Sequence, residues 1–205
     1  MKLSDIESKD HKGDQPSELE GEITHDILDI LEDDGITAEM LLDTAMELYF
    51  PHPGVETRKL AEERFKKELK IALSDSNLCI LIYSGVLLER EGVAGTLPNI
   101  SVNSYEKDLT FIIADEVIGM SIAKYISGDK GMFEYVRFDK EKPGILSKMG
   151  PFMDDVIAGL IGGVSANMYT RGMAEADTDD SEPKDNDKPD KKKEHSRKVG
   201  GVIAG

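Results

Sequence analysis

The chain has 205 residues, 41 of them acidic and 25 basic, giving a formal net charge of −16. That length sustains one sizeable core plus tails, and that charge excludes nucleic acid as a general partner, because phosphate backbones require stripes of Lys and Arg. The acidic excess persists in the middle of the chain once both ends are set aside, so carboxylates either solvate the surface or await a cation.

Residues 1–22 are polar and unpatterned and are expected to be disordered. Their opening, "MKLSDIESKDHKGD", lacks the apolar stretch of a secretory signal. "THDILDILEDDG" (24–35) predicts a helix capped by Thr24 and stopped at Gly35. "TAEMLLDTAMELYF" (37–50) restarts from Thr37 and ends before Pro51. "VETRKLAEERFKKELKIAL" (55–73) is amphipathic with a charged outer face. "NLCILIYSGVLLE" (77–89) is apolar nearly all round and reads as a central, buried helix. Its Cys79 is the single cysteine, so an internal disulfide is impossible and a reducing, cytoplasmic setting fits.

Residues 103–128 read as one long helix, with Asn103 and Glu106 at its start and Gly128 as its stop. "FEYVRFD" (133–139) is aromatic and alternating, the one strand-like stretch. "PGILSKM" (143–149) predicts a turn leading into a short helix, and 153–171 a last helix rich in small residues. Beyond it, 173–205 carries almost nothing apolar over most of its length and is expected to be a disordered charged tail. The runs without charge, 77–88 and 156–170, fall short of the roughly 20 apolar residues that span a bilayer, so no membrane insertion is expected. The expected architecture is a single all-α bundle over 23–172, packed around apolar helices.

Two clusters interrupt this pattern. Asp115 and Glu116 break into "FIIA…VIGM", where the neighbours on both sides want the core. Asp139 and Lys142 in "FDKEKPG" are followed by Asp154 and Asp155 in "FMDD", at the mouth of an apolar helix. In its first turn, free N–H groups and the positive dipole end favour anions. Bland readings exist for each residue. Asp154 and Asp155 suit ordinary N-terminal helix acids, Asp115 or Glu116 suits a carboxylate neutralised by Lys142 or Arg137, and Lys142 suits a surface lysine beside a turn. Taken together, the carboxylates outnumber the bases, an imbalance that hard divalent cations relieve. Other chemistries lack their residues. His11, His25, His52 and His195 are the four histidines, and no HExxH, Cys/His cluster, P-loop, GxGxxG or GxSxG appears.

The succession "DEVIGMSI", "FDKEKPGIL", "FMDDVIAGLIGG" resembles the phosphatidylglycerophosphatase A and YutG-like family. With "DGITAEMLLDTAMELYFP", similar to the opening of the soluble YutG-like branch, the resemblance extends over about 35–172 and is greatest to the α-ribazole phosphatases of archaea. It implies an all-α, magnesium-dependent phosphomonoesterase, with manganese as the alternative ion. Asp115, Asp154 and Asp155 are then expected to hold the metal, and Glu116 to take a proton from water or hold a second metal. Lys142 is expected to pair with a phosphate oxygen, and Asp139 to orient Lys142 or serve as a further ligand. A ligand from the central helices falls on Glu68 by local match and on Asn77 by counting back from Gly85. The substrate implied is a small phosphomonoester, α-ribazole 5′-phosphate or the phosphorylated cobamide, late in cobalamin biosynthesis. The alternatives are phosphatidylglycerophosphate hydrolysed at a membrane surface, and a helical interaction module whose acids are structural. Self-association as a homo-oligomer is left open.

Overall fold

In the computed structural model, which describes residues 25–107 and 112–180, the first helices each begin at a side chain that takes up a free backbone N–H. Asp26 caps α1 (Ile27–Asp33), Thr37 caps α2 (Ala38–Glu47), Thr57 caps α3 (Arg58–Ala72) and Asp75 caps α4 (Ser76–Ala94). The expected Thr24 cap and the polar ends at 1–22 and 181–205 lie outside the described residues. Ser101, not Asn103, caps the short α5 (Val102–Glu106), and α6 (Ala114–Glu141) starts afresh, so the single helix expected over 103–128 is not formed. A 3-10 turn at Leu146–Lys148 leads into α7 (Pro151–Asp180). The fold is all-α.

α7 is the central helix, and every residue from 152 to 166 is buried. α4, expected to hold that place, buries Leu78, Ile82, Gly85 and Val86 but leaves Ile80 65% exposed and Leu87 43% exposed. Its apolar composition therefore covers more than the face it packs. α7 also runs past the expected boundary at 172, where Arg64 and Lys67 of α3 reach Glu175. Those pairs give the polar last turns a partner that composition does not reveal.

The strand expected at 133–139 is helical. Gly131, Tyr135 and Phe138 are buried while Phe133 is 76% exposed, a spacing of three to four residues rather than two. Strand propensity is outvoted by a helical face that fits α7.

The feature that positions the site lies inside α6. A straight helix of 28 residues would be about 42 Å long, which would hold Asp115 and Asp139 far apart. Instead the backbone leaves helical geometry at Ser127 (φ −141°, ψ 21°) and Gly128 (φ 59°, ψ −146°) and folds back. The two limbs then lie against each other. A Cβ on Gly131 would come 2.2 Å from the Ala123 carbonyl oxygen, and one on Gly119 would come 2.8 Å from the Tyr135 ring. Gly159 and Gly162 of α7 admit the same limbs, since their added Cβ atoms would strike the Gly119 carbonyl and the Tyr135 backbone nitrogen.

The angles of Gly128 are open to glycine almost alone, while among the described residues nothing beyond its own stretch of backbone lies within 4 Å of where its Cβ would sit. Gly128→Ala is therefore expected to cost about 1–3 kcal/mol by conformation alone, read from the denaturant midpoint. A change within about 0.5 kcal/mol, ordinary for a surface substitution, would show that the reversal does not need glycine.

Candidate active site

The reversal of α6 sets its two ends beside the first turns of α7. Asp115 and Glu116 come from the start of the first limb, and Tyr135, Asp139 and Lys142 from the second limb and its cap. Asp154 and Asp155 come from α7. Asp115, Asp154 and Asp155 are buried, at 3%, 7% and 4% exposure.

Two linked groups result. In the first, one carboxylate oxygen from each of Asp115, Glu116 and Asp155 lies within 4.8 Å of the others. In the second, Lys142 Nζ donates to Asp154 Oδ2 and lies 3.1 Å from Asp139 Oδ1. The structure thus brings together all six residues singled out in the sequence, with Asp154 engaging Lys142 rather than joining the tight trio. Tyr135, which sequence reasoning missed, donates its phenol hydrogen to Asp155 Oδ1 at 2.7 Å. It lies one turn before Asp139 on the same limb, and reading 133–139 as a helix would have found it.

The two central-helix alternatives lie elsewhere. Glu68 is buried but pairs with Arg171 Nη1 at 2.8 Å, about 24 Å along α7 from Asp155 at 1.5 Å per residue. Asn77 is exposed at the start of α4, its backbone N–H held by Asp75. Asp154 stands in the first turn of α7, as acids do at a helix start, but the cap there comes from elsewhere. The free N–H groups of Phe152 and Met153 go to Glu89 Oε2 of α4, at 3.0 and 3.1 Å.

Burial sets the electrostatics. It pushes the Asp115 carboxyl up to about 8, with Glu116 adding to the rise. Burial likewise pushes Asp155 up to about 7, against the lowering by the Tyr135 hydrogen bond. Burial and its bond to Asp155 hold the Tyr135 phenol well above the ordinary tyrosine range. Burial alone would pull Lys142 down, but Asp154 and Asp139 outweigh it and keep the ammonium charged. Glu116 Oε2 is buried with no hydrogen-bond partner.

These observations test the fit of a cation. The trio offers oxygen donors only, the preference of hard ions such as magnesium or manganese. It includes one orphaned buried oxygen and two carboxyls that burial drives toward protonation. A divalent cation would satisfy all three, so the residues fit it.

Fold and site together define an all-α protein with a buried carboxylate centre suited to a hard divalent ion, flanked by a lysine. The family model of phosphatidylglycerophosphatase A matches residues 67–170. An uncharacterized protein of Methanocaldococcus jannaschii is 35% identical over 132 residues, which are 62% of this chain and 99% of that one. The chain belongs to the phosphatidylglycerophosphatase A family, and with it to the metal-dependent phosphatases, phosphoric monoester hydrolases in general. Two solved structures share the fold. A protein of unknown function from Bacillus stearothermophilus has a TM-score of 0.61 at 22% identity, over 71% of this chain and 92% of its own. The low temperature requirement C protein of Listeria monocytogenes has a TM-score of 0.60 at 21% identity, over 71% and 93%. Identities this low carry the architecture alone.

The pH dependence follows from the raised carboxyls. Unfolded aspartate titrates near 3.9, so between about pH 4 and 8 the folded state holds protons that the unfolded chain has released. Stability then falls as pH rises. Held in chelator, the protein is expected to melt at progressively lower temperature from pH 5 to 8. Manganese added at pH 8 should reverse the loss, and Asp115→Asn should flatten the slope. A melting temperature that climbs over this range in chelator would contradict the assignment.

Proposed function

We propose that the protein is a magnesium-dependent phosphomonoesterase, with manganese as a substitute, acting on a small soluble phosphate ester. The observation that carries this is the trio of buried Asp115 and Asp155 with half-buried Glu116, beside an ammonium held by two further carboxylates. The proposed metal holders are Asp115, Glu116, Asp154 and Asp155. A divalent ion held there supplies charge neutralisation and Lewis acidity toward a phosphoryl oxygen.

The remaining work falls to side chains. Lys142, a compact charge with three donors, takes a phosphate oxygen and neutralises part of its charge. Asp139 keeps that ammonium aimed, at 3.1 Å. Glu116, whose Oε2 has no hydrogen-bond partner among the described residues, receives the proton from the attacking water when it is not itself engaged as a metal ligand. Tyr135 fixes the Asp155 carboxylate in one orientation through its hydrogen bond. Phosphoryl transfer asks little covalent chemistry of a protein, so positioning and electrostatics account for most of the rate.

The substrate proposed is α-ribazole 5′-phosphate or the phosphorylated cobamide, in late cobalamin biosynthesis. Its support is the similarity of the three motif blocks to the α-ribazole phosphatase branch. A net charge of −16 also opposes approach to an anionic lipid surface, and among the described residues no single helix is long and apolar enough to cross a membrane. The second reading, phosphatidylglycerophosphate, is favoured by the description of the matching family.

Hydrolysis of α-ribazole 5′-phosphate and of phosphatidylglycerophosphate in mixed micelles, compared by kcat/KM, separates the two. The first is expected to be preferred, with activity lost in EDTA and restored by magnesium. Asp155→Asn and Lys142→Met should each lower kcat by roughly 10²-fold or more, the scale of removing one electrostatic stabiliser. Undiminished turnover by Asp155→Asn would overturn the assigned roles, and preference for the lipid would overturn the substrate.

A further inference from the structure

Asp154 closes the first turn of α7 and Asp155 follows it, and the N–H groups of that turn are fully accounted for in an unusual way. Pro151 has no N–H to place. Phe152 and Met153 donate theirs to a single oxygen, Glu89 Oε2, at 3.0 and 3.1 Å. Asp154 donates its own to the Gly150 carbonyl at 3.0 Å. The cap thus comes from α4, 63 residues earlier in the chain, and not from the residues preceding the helix. An anion at this end is also favoured by the helix dipole.

A second observation shows that the carboxylate fills the space a side chain at 150 would take. A Cβ on Gly150 would lie 1.7 Å from Glu89 Oε1 and 2.6 Å from its carboxyl carbon. The φ of Gly150 is not in the left-handed region, so the position requires space for Glu89 and not conformational freedom. Behind the cap, Tyr105 packs on Gly92, where a Cβ would lie 2.3 Å from its ring. Phe152 stacks on Tyr105 at 6.4 Å between ring centres. The end of α4 and the start of α7 are therefore one clamped unit.

We propose that Glu89 is a positioning residue for the metal centre. By holding the N–H groups of Phe152 and Met153, it fixes the rotation and register of the first turn of α7, and so where Asp154 and Asp155 place their oxygens. The inference rests on the proposed metal site. Groups that orient ligands from behind are worth about 10–100-fold in metal affinity.

The test is manganese binding to the full chain, followed by electron paramagnetic resonance at a temperature where all variants remain folded. Asp115→Asn serves as the control for the site itself. Glu89→Ala is expected to weaken manganese binding by about 10-fold or more, whereas Glu89→Gln, which keeps an oxygen to accept both N–H groups, should stay within about 3-fold of wild type. Gly150→Ala, which drives the carboxylate aside while leaving Glu89 in the chain, should mimic Glu89→Ala and carries the test if that variant does not fold. Wild-type affinity in Glu89→Ala or Gly150→Ala overturns the inference. So does an equal loss in Glu89→Gln and Glu89→Ala, because charge and not the hydrogen-bonded cap would then be responsible. If manganese binding is instead absent from wild type or unaffected by Asp115→Asn, the metal site itself fails, and that result is distinguishable from the others.

Discussion

Mutual repulsion among carboxylates gathered in and beside the core is the constraint around which the molecule is arranged. Burial of one ionised carboxyl is costly, and a like charge nearby raises the cost. Asp115 and Asp155 meet both conditions, and their carboxyls are driven up to about 8 and 7. A fold that merely needed stability would place apolar side chains there, since well-packed hydrophobic residues often do better than buried ions. What the trio provides in return is concentrated negative potential at one point, with a phenol and an ammonium at its edge.

Keeping those charges together requires backbones to come close, and small residues make that possible. The reversal at Gly128 returns the second limb of α6 along the first. Gly119 and Gly131 let the limbs touch, and Gly159 and Gly162 let α7 lie in the seam. The carboxylates then come from three packed segments, the two limbs of α6 and the start of α7, whose neighbours leave little freedom to swing away. Repulsion that would spread flexible side chains apart is resisted by close packing, whose compressibility is low. Tyr135 strengthens this by tying the second limb to Asp155 directly.

Much of this was legible in the chain. Thr37 and Gly35 marked helix ends by local rules, and acids within apolar runs marked Asp115, Glu116, Asp154 and Asp155. What was not legible depended on partners distant in sequence. The aromatic alternation of 133–139 obeys the strand pattern, and only contact with α7 decides for helix. Asn103 had the chemistry of a cap, but Ser101 held the position. Glu89 reads as an ordinary acid closing an apolar helix, and nothing near it points 63 residues onward to Phe152. The polar stretch to Asp180 remains helical partly through Glu175 and the cations of α3, a tertiary effect that composition cannot carry.

The ammonium beside the trio shows why it does not simply neutralise it. Lys142 closes α6 in a left-handed conformation, φ 44° and ψ 50°, a region costing a non-glycine residue about 1–3 kcal/mol. Pro143, which follows, disfavours the helical alternative for the residue before it. Gly144 then donates its N–H to Glu47 at 3.1 Å, and Ile145 donates to Thr44 Oγ1 at 3.2 Å. α2 thereby offsets the strain by anchoring the turn from outside. Held this way, Lys142 Nζ faces Asp139 and Asp154, and two carboxylates already share its charge. Its relief of Asp155 is correspondingly partial, since that carboxyl remains raised despite it. The turn therefore keeps an ammonium next to the trio without cancelling it. Under the proposed function, that arrangement leaves one positive group for phosphate beside the trio's oxygens for the metal, with Asp154 touching both.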